Sequence, residues 1–138
     1  ATIAVRLQDN GGTALGGVDV SSFYTFTVNV LPVNDAPTFT VGPNITIAED
    51  SPAQSVLWAT NISPGPGTPL PPNESNQTVN FLVSNDNPSL FTTGGQPTIA
   101  PNGTLNYTLA QDANGISVVT VRLRDSGGVD NGGVDTSA

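Results

Sequence analysis

The residues best suited to chemistry are carboxylates spaced along a glycine-rich loop. In Asp125-Ser126-Gly127-Gly128-Val129-Asp130-Asn131-Gly132-Gly133-Val134-Asp135 an Asp recurs every five residues, with Gly-Gly between. Glycine permits the tight backbone curl that turns carbonyls and carboxylates onto one point. A hard cation such as Ca2+ is held by about six to eight oxygens of this kind, in irregular geometry. The simpler reading of the same loop is a solvated hairpin whose Asp side chains cap turns. A copy of the loop near the start carries Asp9 and Asp19, with Ala14 in place of the middle Asp.

Other chemistries are excluded by composition. The chain of 138 residues has 11 acidic and 3 basic residues, a net charge of −8, and no Cys, Met or His. It also lacks Lys, so Arg6, Arg122 and Arg124 are its only side-chain cations. Thiolate nucleophiles, disulfides and histidine bases are therefore absent, and a cation-driven nucleic-acid surface is not expected. Glu49, Asp50 and Glu74 would make a glycosidase pair only in a cleft of fixed separation. No nucleotide loop or nucleophile elbow is present, so the chain reads as no enzyme. The apolar runs are only a few residues long, which predicts no membrane insertion. The chain opens inside a predicted strand, as expected of a piece of something longer.

The elements that position these carboxylates come from an internal repeat. Residues 1–22 align without gaps on 117–138, an offset of 116, with 11 of 22 positions identical. Val5-Arg6-Leu7 matches Val121-Arg122-Leu123, and Gly16-Gly17-Val18-Asp19 matches Gly132-Gly133-Val134-Asp135. A period this long predicts independent beads rather than solenoid coils. Residues 1–33 then read as the last two strands of one repeat, and 34–138 as the next repeat without its final strand. Alternating apolar runs predict strands at Thr2–Leu7, Phe23–Val30, Thr38–Val41, Asn44–Ala48, Gln54–Ile62, Thr78–Val83, Thr98–Ile99, Leu105–Leu109 and Val118–Leu123. No segment sustains a 3.6-residue period. About seven short strands per unit, separated by Gly, Pro and Asn turns, predict an all-β fold, an antiparallel Greek-key β-sandwich. Trp58, Phe81, Val83, Leu105, Tyr107, Val119, Val121 and Leu123 are the expected core, and Tyr24 is grouped with them.

Phe26-Thr27-Val28-Asn29-Val30-Leu31-Pro32-Val33-Asn34-Asp35-Ala36-Pro37-Thr38-Phe39 resembles the end of one cadherin domain and the start of the next. Val121-Arg122-Leu123-Arg124-Asp125-Ser126-Gly127 is similar to the cadherin Ala-x-Asp-x-Gly signature, and Glu49-Asp50 sits where that family places an acidic residue. More closely, the chain resembles the cadherin-like and Ig-like tandem repeats of very large bacterial surface proteins. The resemblance implies an extracellular location and a strand order that fixes which loops share an end. Glu49, Asp50 and Asp112 would lie at the bottom of a unit. Asp125, Asp130 and Asp135 would lie at the top, beside Asn34 and Asp35. Stacked units bring the two groups together, and calcium would relieve the repulsion.

The unit 34–138 lacks a counterpart of Phe23–Val30. A strand of about eight residues spans roughly 26 Å, whereas a linker of about six residues reaches at most about 20 Å. The expected completion is therefore a strand from a neighbouring unit, presenting Phe23, Tyr24, Phe26, Val28 and Val30, as in donor-strand complementation or by covalent continuation. The expected partners are identical units, head to tail, in a fibre or tandem array. Six Asn-x-Ser/Thr sequons, at Asn44, Asn61, Asn73, Asn76, Asn102 and Asn106, are a mild excess over chance and matter only where the source glycosylates its surface proteins. The expected role is a structural repeat of an extracellular adhesin or surface fibre. The alternative is a carbohydrate-binding accessory module of a secreted protein that contacts surface glycans, which would need a line of exposed aromatic rings.

Overall fold

The computed structural model describes residues 1–66 and 74–138. The proline-rich stretch Ser63–Pro72 falls outside the described residues from position 67 onward, as does the sequon at Asn73. The chain divides into two compact units, Ala1–Leu31 and Pro32–Ala138.

The first unit is a two-stranded antiparallel ribbon. β1 (Thr2–Val5) pairs with β2 (Tyr24–Thr27) in a register that sets Ile3 opposite Phe26 and Val5 opposite Tyr24. Ala1 and Val28 exchange both backbone hydrogen bonds, at 2.8 and 2.9 Å. All eight strand residues are exposed, because two strands have no second layer to cover them. Tyr24 is therefore exposed, not part of a core as its alternation suggested.

The second unit is built from β3 (Thr38–Thr40), β4 (Gln54–Leu57), β5 (Thr60–Ser63), β6 (Val79–Asn85), β7 (Thr98–Ile99), β8 (Thr104–Tyr107) and β9 (Val119–Asp125). All pairings are antiparallel: β3 with β5, β4–β8–β7, and β6 with β9. The predicted strand Gln54–Ile62 is thus split. At the break the N–H groups of both Trp58 and Ala59 donate to the Gly103 carbonyl, each at 3.0 Å. Two residues opposite one is a β-bulge. Gly103 sits at φ +89°, and a Cβ there would collide with the Ala59 carbonyl, so glycine is required at this turn. Across the bulge β4 and β5 carry β3 on one side and β8–β7 on the other. The resulting layers, β3–β5/β4–β8–β7 and β6–β9, have the strand order of an Ig-like sandwich.

Period-2 burial along β6, where Val79, Phe81, Val83 and Asn85 face inward, shows why alternation marks this strand. The core is Phe91, Ile99, Leu105 and Tyr107, with Trp58, Phe81, Val83, Leu90, Leu109 and Val121 packed against it. Phe91 meets Tyr107 edge-on at 5.9 Å, and Phe39 meets Phe81 at 5.2 Å. Trp58 donates its Nε1–H to the Pro43 carbonyl at 2.9 Å.

Two expectations fail at the same place. Val119 is 36% exposed rather than buried, while Leu123 on the same strand is 0% exposed. Asn44–Ala48 forms no strand. Both flank an apolar groove of about 670 Å³ whose walls include Ile45, Ile47, Trp58, Phe91, Leu109 and Val119. No strand of the described residues lies in it, so Asn44–Ala48 has no ladder partner and the inward face of β9 is uncovered at its start.

Candidate functional site

The hairpin loop after β9 is built twice with one hydrogen-bond scheme. In the first copy Asp9 N donates to Asp19 O at 2.8 Å, Ser21 N to Leu7 O at 2.9 Å, and Gly11 N to Asp9 Oδ1 at 2.7 Å. In the second copy Asp125 N donates to Asp135 O at 2.9 Å, Ser137 N to Leu123 O at 2.8 Å, and Gly127 N to Asp125 Oδ1 at 2.7 Å. Each loop also has one left-handed non-glycine residue at the equivalent position, Leu15 and Asn131, both with φ +57°. The repeat seen in the letters is therefore a repeat of backbone structure.

The linker residue Asn34 plugs the upper end of the second unit. It is buried, and its Nδ2 donates to Asp125 Oδ1 at 2.9 Å and to the Val134 carbonyl at 2.8 Å. Its Oδ1 accepts from Gln77 Nε2 at 2.6 Å, and its backbone carbonyl accepts from Val134 N at 3.0 Å. A Cβ on Gly127 would strike the Asn34 amide, so the Gly-Gly spacing makes room for this side chain. Asp125 is 4% exposed and its Oδ2 is buried without a hydrogen-bond partner.

Glu74 is the residue that sequence reasoning placed elsewhere. It is fully buried, its Oε1 accepts from Asp35 N at 2.7 Å, and its Oε2 has no hydrogen-bond partner. Gly65 packs directly on that carboxylate, and no side chain would fit there. Nothing in local spacing marks Glu74, since its burial depends on a glycine nine positions away and on the linker backbone.

The other predicted residues each have individual partners. Asp130 lines a polar recess of about 390 Å³ with Asn34, Gln77, Ser126, Gly127 and Asn131. Asp35 is exposed and contributes its backbone N–H. Asp135 turns to Arg124, with Oδ2 2.9 Å from both Nε and Nη2, while the Thr136 hydroxyl donates to Oδ1 at 2.9 Å. The Thr136 hydroxyl foremost holds its carboxyl below the usual range; burial opposes it, and the Arg124 hydrogen bond and charge add to the lowering. In the first copy Asp19 instead accepts from Gln8 at 3.1 Å. At the lower end Asp50 Oδ1 accepts from Asp112 N at 2.9 Å, and Glu49 Oε2 from Asn114 Nδ2 at 3.4 Å. Asp50 and Asp112 both have left-handed backbones, with φ +60° and +55°. Among the described residues no three acidic side chains form a single group able to hold a metal ion.

The residues expected to complete a neighbouring unit lie on β2 and its flanks. Phe23, Tyr24, Phe26, Val28 and Val30 are all exposed, and Arg6 rests over the Phe23 ring at 5.1 Å. No helix among the described residues is long and apolar enough to cross a membrane.

A family model described as bacterial Ig domain matches residues 34–137. Domains of this kind are generally structural and typically occur in surface or extracellular proteins. No curated protein and no solved structure matches the chain. The strand order, the plugged linker and the matched span agree, and the chain belongs to the bacterial Ig domain family.

Proposed function

We propose that the chain is a mechanical spacer of an extracellular adhesin or surface fibre. Its units stack end to end, calcium stiffens the junctions, and each unit is completed by a strand from a neighbour. The observation that carries this reading is the doubled hairpin: the same loop, with the same bonds, recurs after 116 residues. A single binding or catalytic module has no use for that repetition, whereas an array requires it.

Calcium is supported by unsatisfied oxygen at the linker end. Glu74 Oε2 and Asp125 Oδ2 are buried carboxylate oxygens without donors. A buried carboxylate oxygen without a partner is unfavourable by about 1–3 kcal/mol or more. An oxygen-seeking divalent cation satisfies such atoms, with amide and backbone carbonyls filling the shell. Asn34, Asp125 and Asp130 would serve at the top, and Glu49, Asp50 and Asp112 at the bottom of the preceding unit. Asp9 and Asp19 play the same part in the first copy, while Asp35 and Asp135 lie beside the upper set.

The test is a chain of four successive copies of residues 22–137, studied by small-angle X-ray scattering. One compact globule of that size has a radius of gyration of about 23 Å, whereas four beads in a row give about 40 Å. The row is expected, longer in millimolar calcium than in chelator. A value near the globule would overturn the spacer. Calorimetry without binding at millimolar calcium, with melting insensitive to chelator, would remove the cation alone.

A further inference from the structure

The repeat also specifies what fills the apolar groove. We infer that the groove takes the strand Phe23–Val30 of a second copy of this chain, antiparallel to β9, with Tyr24 opposite Val121 and Phe26 opposite Val119. The inference rests on the strand completion within the proposed function and adds its edge and register.

The register follows from the two copies. Thr2–Val5 is equivalent to residues 118–121 at the offset of 116, and β1 already carries a partner on the edge in question. Ile3 faces Phe26, Val5 faces Tyr24, and Ala1 exchanges hydrogen bonds with Val28. Transferred to β9, Ser117, Val119 and Val121 bond Val28, Phe26 and Tyr24. The hydrogen-bonding sides agree. The Leu123 and Asp125 N–H groups turn to the returning loop, at Ser137 Oγ (3.0 Å) and Asp135 O (2.9 Å). By strand alternation Val121 and Val119 present their N–H and C=O groups to that same side. No strand of the described residues meets them there, since β6 occupies the opposite edge.

The side chains agree as well. Val121 packs on the core, so residues directly opposite Val121 and Val119 also point inward. Tyr24, Phe26, Val28 and Val30 thus enter a groove walled by Ile45, Ile47, Trp58 and Phe91. These four side chains are exposed on the ribbon, so exchanging β1 for β9 buries apolar surface that β1 leaves in water.

Among residues 1–138 the strand within the same copy falls short, so the donor drawn from these residues is a second copy. Val28 would sit opposite Ser117, while Asn34 is held at Asp125 and Val134. Ser117 to Asp125 is eight residues, about 26 Å at strand rise, with β9 beginning at Val119. Val28 to Asn34 is six residues, at most about 21 Å fully extended.

The chain has no cysteine, so a disulfide can report the register. Thr25 and Thr120 would face each other at a non-hydrogen-bonded position, with Cα atoms about 4.5 Å apart, within disulfide range. Thr25 and Arg122 would be diagonal, at about 7–8 Å, beyond it. The T25C/T120C chain, oxidised in a glutathione buffer, is expected to give a ladder of linked dimers and higher species on a non-reducing gel. It should exceed the T25C/R122C chain at least tenfold. The unsubstituted chain should gain mass with concentration in sedimentation velocity. Overturning results are an internal 25–120 disulfide in a monomer, equal linkage in both chains, or no ladder with a constant monomer mass. A missing ladder alongside a row-like four-copy chain removes the second copy as donor and leaves the spacer standing.

Discussion

Replacing Asn34 by Ala tests how the linker is anchored. The substitution removes a donor to the buried Asp125 carboxylate, a donor to the Val134 carbonyl and an acceptor for Gln77. A hydrogen bond to a charged partner is worth about 1.5–3 kcal/mol and a neutral one about 1 kcal/mol, with more lost when the abandoned partner stays buried. Among the described residues the Asp125 carboxylate then keeps one hydrogen bond, from Gly127 N. The sum is about 3.5–5 kcal/mol, a large share of the 5–15 kcal/mol typical of a domain. With a urea slope of about 1.5–2 kcal/mol/M, the midpoint should fall by about 2–3 M. Urea denaturation followed by Trp58 fluorescence reads this directly, in chelator to keep calcium out. A fall under about 0.5 M would refute the idea that Asn34 is the pin. Asn34→Asp sharpens the test, because it sets a second carboxylate against Asp125. It should be more harmful than Ala in chelator and be partly rescued by millimolar calcium.

Other expectations follow from the same geometry. Leu123→Ala should lower stability by about 2–5 kcal/mol as a fully buried leucine, whereas Val119→Ala should lose under about 1 kcal/mol at the open edge. Chemical denaturation of the two side by side reads the burial gradient along β9. Gly127→Ala should destabilise by about 2 kcal/mol or more, because its methyl meets the Asn34 amide, and thermal melting would show it. Asp135 has its carboxyl pKa lowered from 3.8, so its contribution is fully present above that value and is lost as pH falls through the lower folded value. Melting temperatures between about pH 2 and 6 should therefore decline less steeply in Asp135→Asn than in the parent chain.

The parts legible in the sequence are those whose cause is local. Alternation located β6 and β9, and the doubled Gly-Gly-Val-Asp loop announced a repeated backbone. The linker's Asn34 was placed beside Asp125 because strand order brings the unit's entry to its last hairpin. What escaped depends on partners distant in the chain. The split of Gln54–Ile62 comes from the Gly103 carbonyl serving two N–H groups. Glu74 is buried by Gly65 and the Asp35 backbone, neither of which its own neighbours reveal. Asn44–Ala48 and Val119 alternate like strand and core, but a ladder and a covered face need a strand between them. Tyr24 has the pattern of a core residue and lacks a second layer to enter. Asp135 fits a carboxylate cluster by spacing, yet Arg124, one step from Asp125, draws it away.

Stacking and completion both require the open edge of β9 to be a strand site. The most direct measurement is amide hydrogen exchange on the chain extended after Ala138 by a copy of Phe23–Leu31, compared with the unextended chain at low micromolar concentration. The Val119 and Val121 amides should become slow-exchanging only in the extended chain, and a scrambled extension should leave them fast. Equal exchange in all three chains would contradict it.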